Sequence, residues 1–511
     1  MSTEMTKPAK WEQGQPPSPD WSNRIIILSV AGILFLTLFP FGFVFHAKSP
    51  GSTSPFLLQS GLKSVGAFDD FLNILLFVPF GFGLSEYLRT KGTSRRTSLI
   101  LALVMGAMFS YGIEFLQNYI PSRDAGWHDV FTNTAGSIAG FAIFELVGKA
   151  ALRVLSAVDS ALGRMLTPQR AAWLIPLYFV VWFGASGQLQ RQTQPSNWDL
   201  NGPLVVGNTA AGRQASGWRG EIDRLEFWNR PLPDDLARRL TAGERTMIDA
   251  SASLAEYEFS ATAPFRDRRG YLPDLNWKSN PPPALNPGAI VLDGKSWLIS
   301  ASPVTPLVMN IQESRQFSIH VICTPAIGEG MDARIATISR ASGPMDLDLR
   351  QDDANLVFWF RSPISVSHSI LAWYISNAFV PGEKRDILIS YDGANLSAYI
   401  NGQRENREYE LGPGTSLARL IRRVKPSELI AYKYVYYALL FFTGGILLGI
   451  TCRRLNLRSV ITYLPLAAAI LIPPVLLEII LVHVSGRARS IGDMVIGFCL
   501  ALGGSLWINA D

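Results

Sequence analysis

Apolar residues form long runs near both ends of the chain, whereas the middle is polar and rich in turn residues. A transmembrane helix needs about 20 apolar residues to cross about 30 Å of hydrocarbon, where unpaired backbone groups are not tolerated. Eight runs approach that length. They predict eight membrane-spanning helices, at about residues 25–45, 70–88, 98–119, 128–148, 171–187, 430–450, 460–482 and 490–508.

Three short loops between these runs, at residues 89–96, 149–170 and 453–458, are rich in Lys and Arg. Short loops rich in Lys and Arg stay on the cytoplasmic side of a membrane. The distribution therefore predicts that both termini are cytoplasmic and that residues of about 190–428 lie outside. It is more informative than the net charge of +5.

The middle of the chain, about residues 195–412, alternates β-branched and aromatic residues with polar ones. This alternation is typical of strands with one buried face. Asp392-Gly393 and Asn401-Gly402 flank one short run, as hairpin turns do. The pattern predicts an antiparallel β-sandwich with strands that include 317–322, 333–338, 345–349, 356–360 and 386–390.

The expected fold is therefore multi-domain, with an α-helical transmembrane bundle and an extracytoplasmic all-β jelly-roll sandwich. The first apolar run has no small-residue cleavage site, so we expect it to be retained. The expected parts are a cytoplasmic tail (1–24), a membrane domain (25–190), the β-sandwich (191–428) and a C-terminal membrane domain (429–511).

Two membrane segments match each other without gaps at a constant offset of 364 positions. The second to fourth predicted spans thus recur as the sixth to eighth, which predicts a duplicated bundle of four plus four helices. The match includes Leu75-Leu76-Phe77 with Leu439-Leu440-Phe441, Gly81 with Gly445, Arg89 with Arg453, and Gly140 with Gly504.

Each copy carries a Glu, an Arg nine residues later and an Asp six residues after that. This spacing places the Glu near one helix end, the Arg in the turn and the Asp near the next helix start. Charges near a membrane are costly unless they are paired or hydrated. We therefore treat the two turns as candidate sites, made of Glu114, Arg123 and Asp129 in the first copy and Glu478, Arg487 and Asp493 in the second.

Two interpretations of these turns remain open. An Arg–carboxylate fork could fix each helical hairpin without binding anything. Alternatively, Arg123, His128 and Arg487 could receive an anionic headgroup or a lipid-linked phosphate, while Glu114 and Asp129 orient it.

The first copy is richer in polar residues, and we expect it to be the active one if only one copy acts. Its additional residues include Asp69, Asp70, Asn73, Gln117, Asn133 and Thr134. The second copy replaces several of them, with Lys433, Tyr434, Tyr437 and Gly497 at the positions of Asp69, Asp70, Asn73 and Asn133.

The motifs FDDFLNILLFVPFGFGL and YGIEFLQNYIPSRDAGWHDVFTNTAGSIAG resemble the VanZ family of small membrane proteins. The resemblance covers about residues 25–150 and, more weakly, the second copy. It implies a bacterial cell membrane location and an envelope role linked to glycopeptide susceptibility, but no transferable reaction. The residues that match the motif are Asp69 or Asp70, Asn73, Glu114, Gln117, Arg123, Asp129 and Asn133.

Two phrases of the middle region, ILISYDGANLSAYINGQR and GWRGEIDRLEFWNRPLPDDLARRL, resemble concanavalin A-like domains of the laminin G type. In that family the second phrase normally closes the domain, whereas here it stands near the beginning. The resemblance thus implies a circularly permuted sandwich, with a truncated second copy as the alternative.

Domains of this type commonly bind sugars, which implies carbohydrate binding by the middle region. Aromatic faces stack on sugar rings, although buried core aromatics are the commoner explanation for such residues. The candidates for stacking are Trp218, Trp228, Trp297 and Trp359.

An enzymatic alternative depends on Glu221, Asp223 and Glu226, which resemble the acidic strand of concanavalin-like glucanases. Paired carboxylates on one face could serve as acid and nucleophile. Alternation puts Glu221 and Asp223 on one face, and Glu226 needs a bulge to join them. The same letters also fit a structural strand whose core residues are Ile222, Leu225 and Phe227.

We expect no metal site, since His46, His128 and His483 show no metal-ligand spacing. No segment resembles a phosphate-binding Gly loop or a nucleic-acid module, so we also expect no cofactor and no nucleic-acid partner. The favoured function is non-enzymatic recognition in the cell envelope, with a glycan on the sandwich and a membrane lipid or lipid-linked anion at the charged turns. The alternatives are an envelope polysaccharide hydrolase, a purely structural assembly protein, and a membrane transferase that uses the Glu114/Arg123/Asp129 cluster. The sequence does not determine the oligomeric state.

Overall fold

A computed structural model gives the fold. The chain divides into two compact units. Unit 1 comprises Met1–Ile175, Gly445–Val460 and Gly503–Asp511, and unit 2 comprises Pro176–Gly444 and Ile461–Leu502. The residues described are 21–38, 67–120, 126–212, 216–244, 253–259, 264–278, 285–286, 288–326, 332–365, 371–405, 409–421, 424, 426–453 and 460–509.

Helices form both ends of the described chain, and shorter helices lie between the strands of its middle. They are α1 (Trp21–Leu38), α2 (Ala67–Thr90), α3 (Arg95–Gln117), α4 (Trp127–Met165), α5 (Pro168–Arg191), α6 (Asp234–Thr241), α7 (Thr305–Ser314), α8 (Pro413–Ile421), α9 (Leu429–Tyr437), α10 (Thr443–Cys452), α11 (Val460–Ser485) and α12 (Ile491–Asn509). A π-helical turn, Ala438–Phe442, joins α9 to α10.

Within the described residues, seven helical segments are long and apolar enough to cross a membrane. The predicted number of eight is therefore not confirmed. The segment that differs is the expected fourth span, 128–148, which forms the first part of the 39-residue helix α4. At 1.5 Å per residue α4 is about 58 Å long, so it extends well beyond one hydrocarbon layer. The seven spans are Trp21–Leu38, Asp70–Thr90, Arg95–Gln117, Gln169–Arg191, Leu429–Cys452, Ala467–Ser485 and Ile491–Asn509.

In unit 1, α2 and α4 pack closely because glycines face the neighbouring backbone. A Cβ added at Gly81 would clash with the Ser137 carbonyl, and one at Gly140 would clash with the Val78 carbonyl. Small residues let membrane helices approach in this way.

The middle of the chain forms two antiparallel sheets. Their strands are β1 (Leu204–Val206), β2 (Arg219–Trp228), β3 (Ala255–Glu258), β4 (Leu275–Trp277), β5 (Leu285–Asn286), β6 (Ala289–Asp293), β7 (Leu298–Ser300), β8 (Phe317–Pro325), β9 (Asp332–Ser339), β10 (Met345–Asp352), β11 (Asn355–Phe360), β12 (Trp373–Ile375), β13 (Arg385–Tyr391), β14 (Asn395–Ile400), β15 (Gln403–Arg404) and β16 (Tyr409–Glu410).

The seven-stranded sheet has the order β12-β11-β10-β9-β1-β7-β4. The nine-stranded sheet has the order β15-β14-β13-β8-β2-β6-β5, with β16 beside β14 and β3 beside β2. Inward side chains of both sheets, such as Phe317 and Phe358, share one hydrophobic core. We refer to these two sheets with their connections as the β region.

The first two strands occupy central positions among strands from later in the chain. β1 lies between β9 and β7, and β2 lies between β8 and β6. This is the pairing expected if the opening strands complete sheets begun by later ones. The predicted turns also form, because Gly393 adopts φ 100° and Asn401-Gly402 adopts φ 48° and 82° between β14 and β15. Two consecutive positive φ values are typical of a type I′ hairpin turn.

Candidate functional site

In both repeat copies, the Glu of the repeated motif holds the start of the following helix. Glu114 Oε2 accepts a hydrogen bond from the Gly126 backbone N–H at 2.9 Å. Glu478 Oε1 accepts one from the Ser490 backbone N–H at 2.6 Å. The first backbone N–H groups of a helix have no partner within the helix, and the helix dipole favours a negative charge there. The offset of 364 therefore preserves the same contact in both turns.

The second turn contains the predicted Arg–carboxylate fork. Arg487 Nη2 lies 2.6 Å from Glu478 Oε2 and 3.4 Å from Asp493 Oδ2. The Arg487 side chain is only 5% exposed. Burial lowers the pKa of Arg487, but the nearby carboxylates, led by Glu478, outweigh it and raise the pKa above its usual value. Arg123, its counterpart in the first copy, lies outside the described residues.

The second turn continues into a longer ion-pair chain. Lys433 Nζ lies 2.7 Å from Asp493 Oδ1 and 2.8 Å from Glu410 Oε2. Glu410 belongs to β16, so these ion pairs join the β region to helices α9, α11 and α12. Burial raises the pKa of Glu410, although Lys433 acts in the opposite direction. We call these five residues, Glu478, Arg487, Asp493, Lys433 and Glu410, the buried ion-pair chain.

Among the described residues, the first turn has contacts that are more exposed. His128 Nε2 lies 2.6 Å from Asp70 Oδ1, and each side chain is 30% exposed. Asn73 Nδ2 donates to Asp129 Oδ1 at 2.9 Å. These four predicted residues therefore come together at the starts of α2 and α4.

Other residues predicted for the first site lie around this group. Gln117 Nε2 donates to the Thr37 backbone carbonyl at 2.8 Å and so connects α3 to α1. Asn133 Nδ2 donates to Ser110 Oγ at 2.9 Å, while its buried Oδ1 has no hydrogen-bond partner among the described residues. Thr134 Oγ1 donates to the Val130 carbonyl of its own helix.

A polar cavity of about 480 Å³ lies within unit 2 beside the buried ion-pair chain. Strands β14 to β16, helices α6 and α9, and the segment at the start of α12 supply its lining. Four lining residues are basic (Arg238, Arg404, Lys433 and Arg487), and three are acidic (Glu405, Glu410 and Asp493). Asn395, Leu396, Ser397, Tyr409 and Ser490 complete the lining.

Three of the four candidate tryptophans are buried, with Trp218 0%, Trp228 2% and Trp359 2% exposed. The Trp218 indole N–H donates to Gln351, and that of Trp359 donates to Ser365. Stacking on a sugar requires an open ring face, so these three rings act as packing residues in this structure. Trp297 is half-buried.

The acidic strand β2 contains the bulge that sequence reasoning required. Its pairing with β8 shifts register between Ile222 and Arg224, so Asp223 is the extra residue. Glu221 and Glu226 consequently pair with Thr324 and His320, two positions on the same face of β8. The bulge that the enzymatic alternative requires is therefore present, whereas the hydrolytic role remains a prediction.

Glu226 is engaged by a buried histidine. Its Oε2 lies 2.5 Å from His320 Nδ1, and His320 Nε2 lies 2.5 Å from Asp386 Oδ1. Burial lowers the pKa of His320, but the hydrogen bonds to Asp386 and Glu226 outweigh it and raise the pKa. Asp223 forms an ion pair with Lys384. Among the described residues, no group of three or more His, Cys, Asp or Glu is placed to hold a metal ion.

Sequence reasoning missed Glu410, His320, Arg238 and Arg404. Lys433 was the available signal, because a lone cation at the start of an apolar helix requires a partner. Its partner Glu410 lies 23 residues earlier, on a short edge strand whose position depends on the folded sheet. No spacing rule connects the two.

The apolar helices and the antiparallel β region define this chain as a helical membrane protein with a large β-sheet part. Residues 17–148 match the family model described as VanZ/LLP1, so this segment is a VanZ-like domain. The match includes α1 to α3 and the first turn. No curated protein and no solved structure matches the chain. The resemblance of the β region to laminin G-type domains is not confirmed by a family match.

Proposed function

We propose that this chain is a VanZ-like protein of the bacterial cell membrane that holds its β region at the outer membrane surface to recognise an envelope glycan. Recognition in this proposal is non-enzymatic. The observation that carries it is the polar attachment of the β region to the turn between α11 and α12, within one compact unit. The basic loops at 89–96, 149–170 and 453–458 support the outward orientation in this proposal.

Side-chain hydrogen bonds from the β region support this attachment. Gln194 Nε2 donates to the Val484 carbonyl at 2.9 Å, and Gln316 Nε2 donates to the Gly486 carbonyl at 2.7 Å. Arg315 also donates to the Val484 carbonyl. Each bond satisfies a carbonyl near the end of α11, where the helix itself supplies no donor. The β region thus replaces the water that would otherwise solvate this turn.

Close backbone packing supports the same attachment. A Cβ added at Gly393 would clash with the Ser485 carbonyl. Gln190 Nε2 also donates to the Gly393 and Leu411 carbonyls, at 3.2 Å each, which connects α5 to the β region. A domain fixed at several points presents a preorganised surface, and preorganisation lowers the entropic cost of binding.

The environment of Glu226 argues against the hydrolase alternative. A general acid or nucleophile must reach the substrate, whereas Glu226 is 5% exposed and bonded to the buried His320. A membrane transferase is the second candidate, because the Asp70–His128 pair is partly exposed and resembles the orienting pair of a general base. Its expected signature is turnover that is lost in His128→Gln and retained in Glu226→Gln.

The test uses the full chain in lipid nanodiscs, incubated with purified bacterial envelope glycans. Glycan retention and released reducing ends are measured together. Retention without product is the expected result. Product release that Glu226→Gln abolishes would instead identify a hydrolase, and the absence of retention by folded protein would refute glycan recognition.

A further inference from the structure

The polar cavity offers a binding site whose chemistry can be specified further. We infer that it binds an uncharged, hydroxyl-rich saccharide, held between the edge of the nine-stranded sheet and the start of α12. This inference rests on the proposed function and gives it a ligand class and a location. The volume of the cavity, about 480 Å³, lies within the roughly 300–1,000 Å³ range of small-molecule sites.

The inner cations already have their partners. Arg487 is held by Glu478 and Asp493, and Lys433 is held by Asp493 and Glu410. An incoming phosphate would compete with carboxylates at these positions and would meet their repulsion. The inner wall therefore disfavours the anionic headgroup that sequence reasoning assigned to Arg487.

The outer wall is also close to electrical balance. Arg238 Nε lies 2.8 Å from Asp234 Oδ2, and Arg404 Nη1 lies 3.4 Å from Asp234 Oδ1. Among the described lining residues, four side chains are basic and three are acidic. A surplus of one positive charge is too small to make the cavity a strong anion-binding site. We therefore expect hydrogen bonding, rather than net charge, to determine which ligand the cavity selects.

The lining side chains suit hydroxyl groups. Arg238 and Arg404 are 46% and 47% exposed, and their planar guanidinium groups can donate two parallel hydrogen bonds. Asn395 donates from its amide nitrogen to Asp392, which leaves its carbonyl oxygen as an acceptor. Ser490 Oγ accepts from the Asp493 backbone N–H at 3.2 Å and retains a hydroxyl proton to donate.

The saccharide could be a free glycan or the headgroup of a glycolipid, since both present the same hydroxyl groups. Lys433 lies in a helix of membrane-spanning length, which places the inner wall near the end of an apolar segment. A headgroup at the bilayer surface therefore has the same access as a soluble chain. The experiment distinguishes the two sources because one probe set is in solution and the glycolipid is in the nanodisc membrane.

Binding is measured with the full chain in nanodiscs against three soluble probes: triacetylchitotriose, maltotriose and glucose 1-phosphate. A fourth arm adds monoglucosyl diacylglycerol to the nanodisc itself. We expect at least one neutral probe to bind, with glucose 1-phosphate no tighter than maltotriose. Binding of glucose 1-phosphate alone would overturn the inference.

The variants locate the site. Arg404→Gln and Asn395→Ala should each weaken neutral-saccharide binding by about 5-fold or more, consistent with the loss of about 1 kcal/mol or more per hydrogen bond. Arg239→Gln is the matched control, because Arg239 is on the same helix as Arg238 and pairs with Glu244 away from the lining. Unchanged melting temperatures confirm that each variant is folded.

The outcomes separate this inference from the proposed function. If glycans bind but Arg404→Gln and Asn395→Ala leave the affinity unchanged, recognition stands and the cavity is the wrong site. If folded protein binds no glycan in any arm, both proposals fail. Binding only in the glycolipid arm, lost in Arg404→Gln, supports the cavity with a membrane-borne ligand.

Discussion

The two charged turns share one backbone contact, and the side-chain contacts of their described residues differ in chemistry and exposure. In each, a Glu holds the start of the next helix, through Glu114 in the first turn and Glu478 in the second. The first turn then uses an amide and an imidazole at partly exposed positions. The second uses a buried chain of five charged groups that ends at Glu410 of the β region.

This difference shows which contacts a helical hairpin requires and which depend on its surroundings. The Glu contact occurs in both copies because each helix start has unpaired N–H groups. The ion-pair chain is found where the β region packs, since a charge removed from water must be paired. Lys433 illustrates this change, because it stands at the sequence position of Asp69 and neutralises both Asp493 and Glu410.

The largest expected effect comes from removing Arg487. Arg487→Met should destabilise the protein by about 3–5 kcal/mol, because it leaves Glu478 and Asp493 buried without their partner. Unfolding in detergent at increasing denaturant measures the loss. Arg489→Gln is the control, since Arg489 is exposed two residues away. An equal effect of both variants would contradict the burial argument.

Removing Lys433 should have the next largest effect. Lys433→Met should cost about 2–3 kcal/mol, since its side chain is 18% exposed and water can partly solvate the remaining carboxylates. Adding Glu410→Gln should restore part of that loss. A double-mutant cycle measures the coupling, and strict additivity would show that the two groups do not interact.

The first turn should be less sensitive. Asn73→Ala removes one hydrogen bond to Asp129, and we expect a loss of about 1–2 kcal/mol because the acceptor is charged. The same unfolding assay applies. A loss as large as that of Arg487→Met would remove the distinction between the turns.

The smallest expected effect is a pH dependence of stability that arises from Glu410, at the end of the buried ion-pair chain. Because burial raises the pKa of Glu410, the unfolded chain releases this proton first as pH rises above about 4.5, and the folded protein retains it. Stability should therefore decrease with rising pH until the folded carboxyl ionises. Glu410→Gln should flatten this part of the melting-temperature profile, whereas substitution of the exposed Glu383 by Gln should not.

Local sequence rules predicted the repeated turns and the β-hairpins. The offset of 364 identified Glu114 and Glu478 in equivalent positions, and Asn401-Gly402 marked a turn that needs two positive φ values. Within each turn and each hairpin, the residues that matter are close in sequence. The Arg487 fork was also predictable because its partners lie nine and six residues away.

Features that depend on distant residues were not predictable. Glu410 reaches Lys433 only after β16 pairs with β14, and His320 meets Glu226 only after β8 pairs with β2. Burial of Trp218 likewise depends on the complete core. The sequence could not distinguish an exposed Trp ring that binds a sugar from a Trp ring buried in the core, because both kinds of position favour the same side chain.

Hydrogen–deuterium exchange on the full chain in nanodiscs tests the central claim that the buried ion-pair chain fixes the β region to the second turn. Wild type is compared with Arg487→Met and with the control Arg489→Gln. We expect Arg487→Met to increase exchange at residues 485–493 and also at 395–411, because loss of the shared network should loosen both sides. Increased exchange confined to 485–493 would contradict the account.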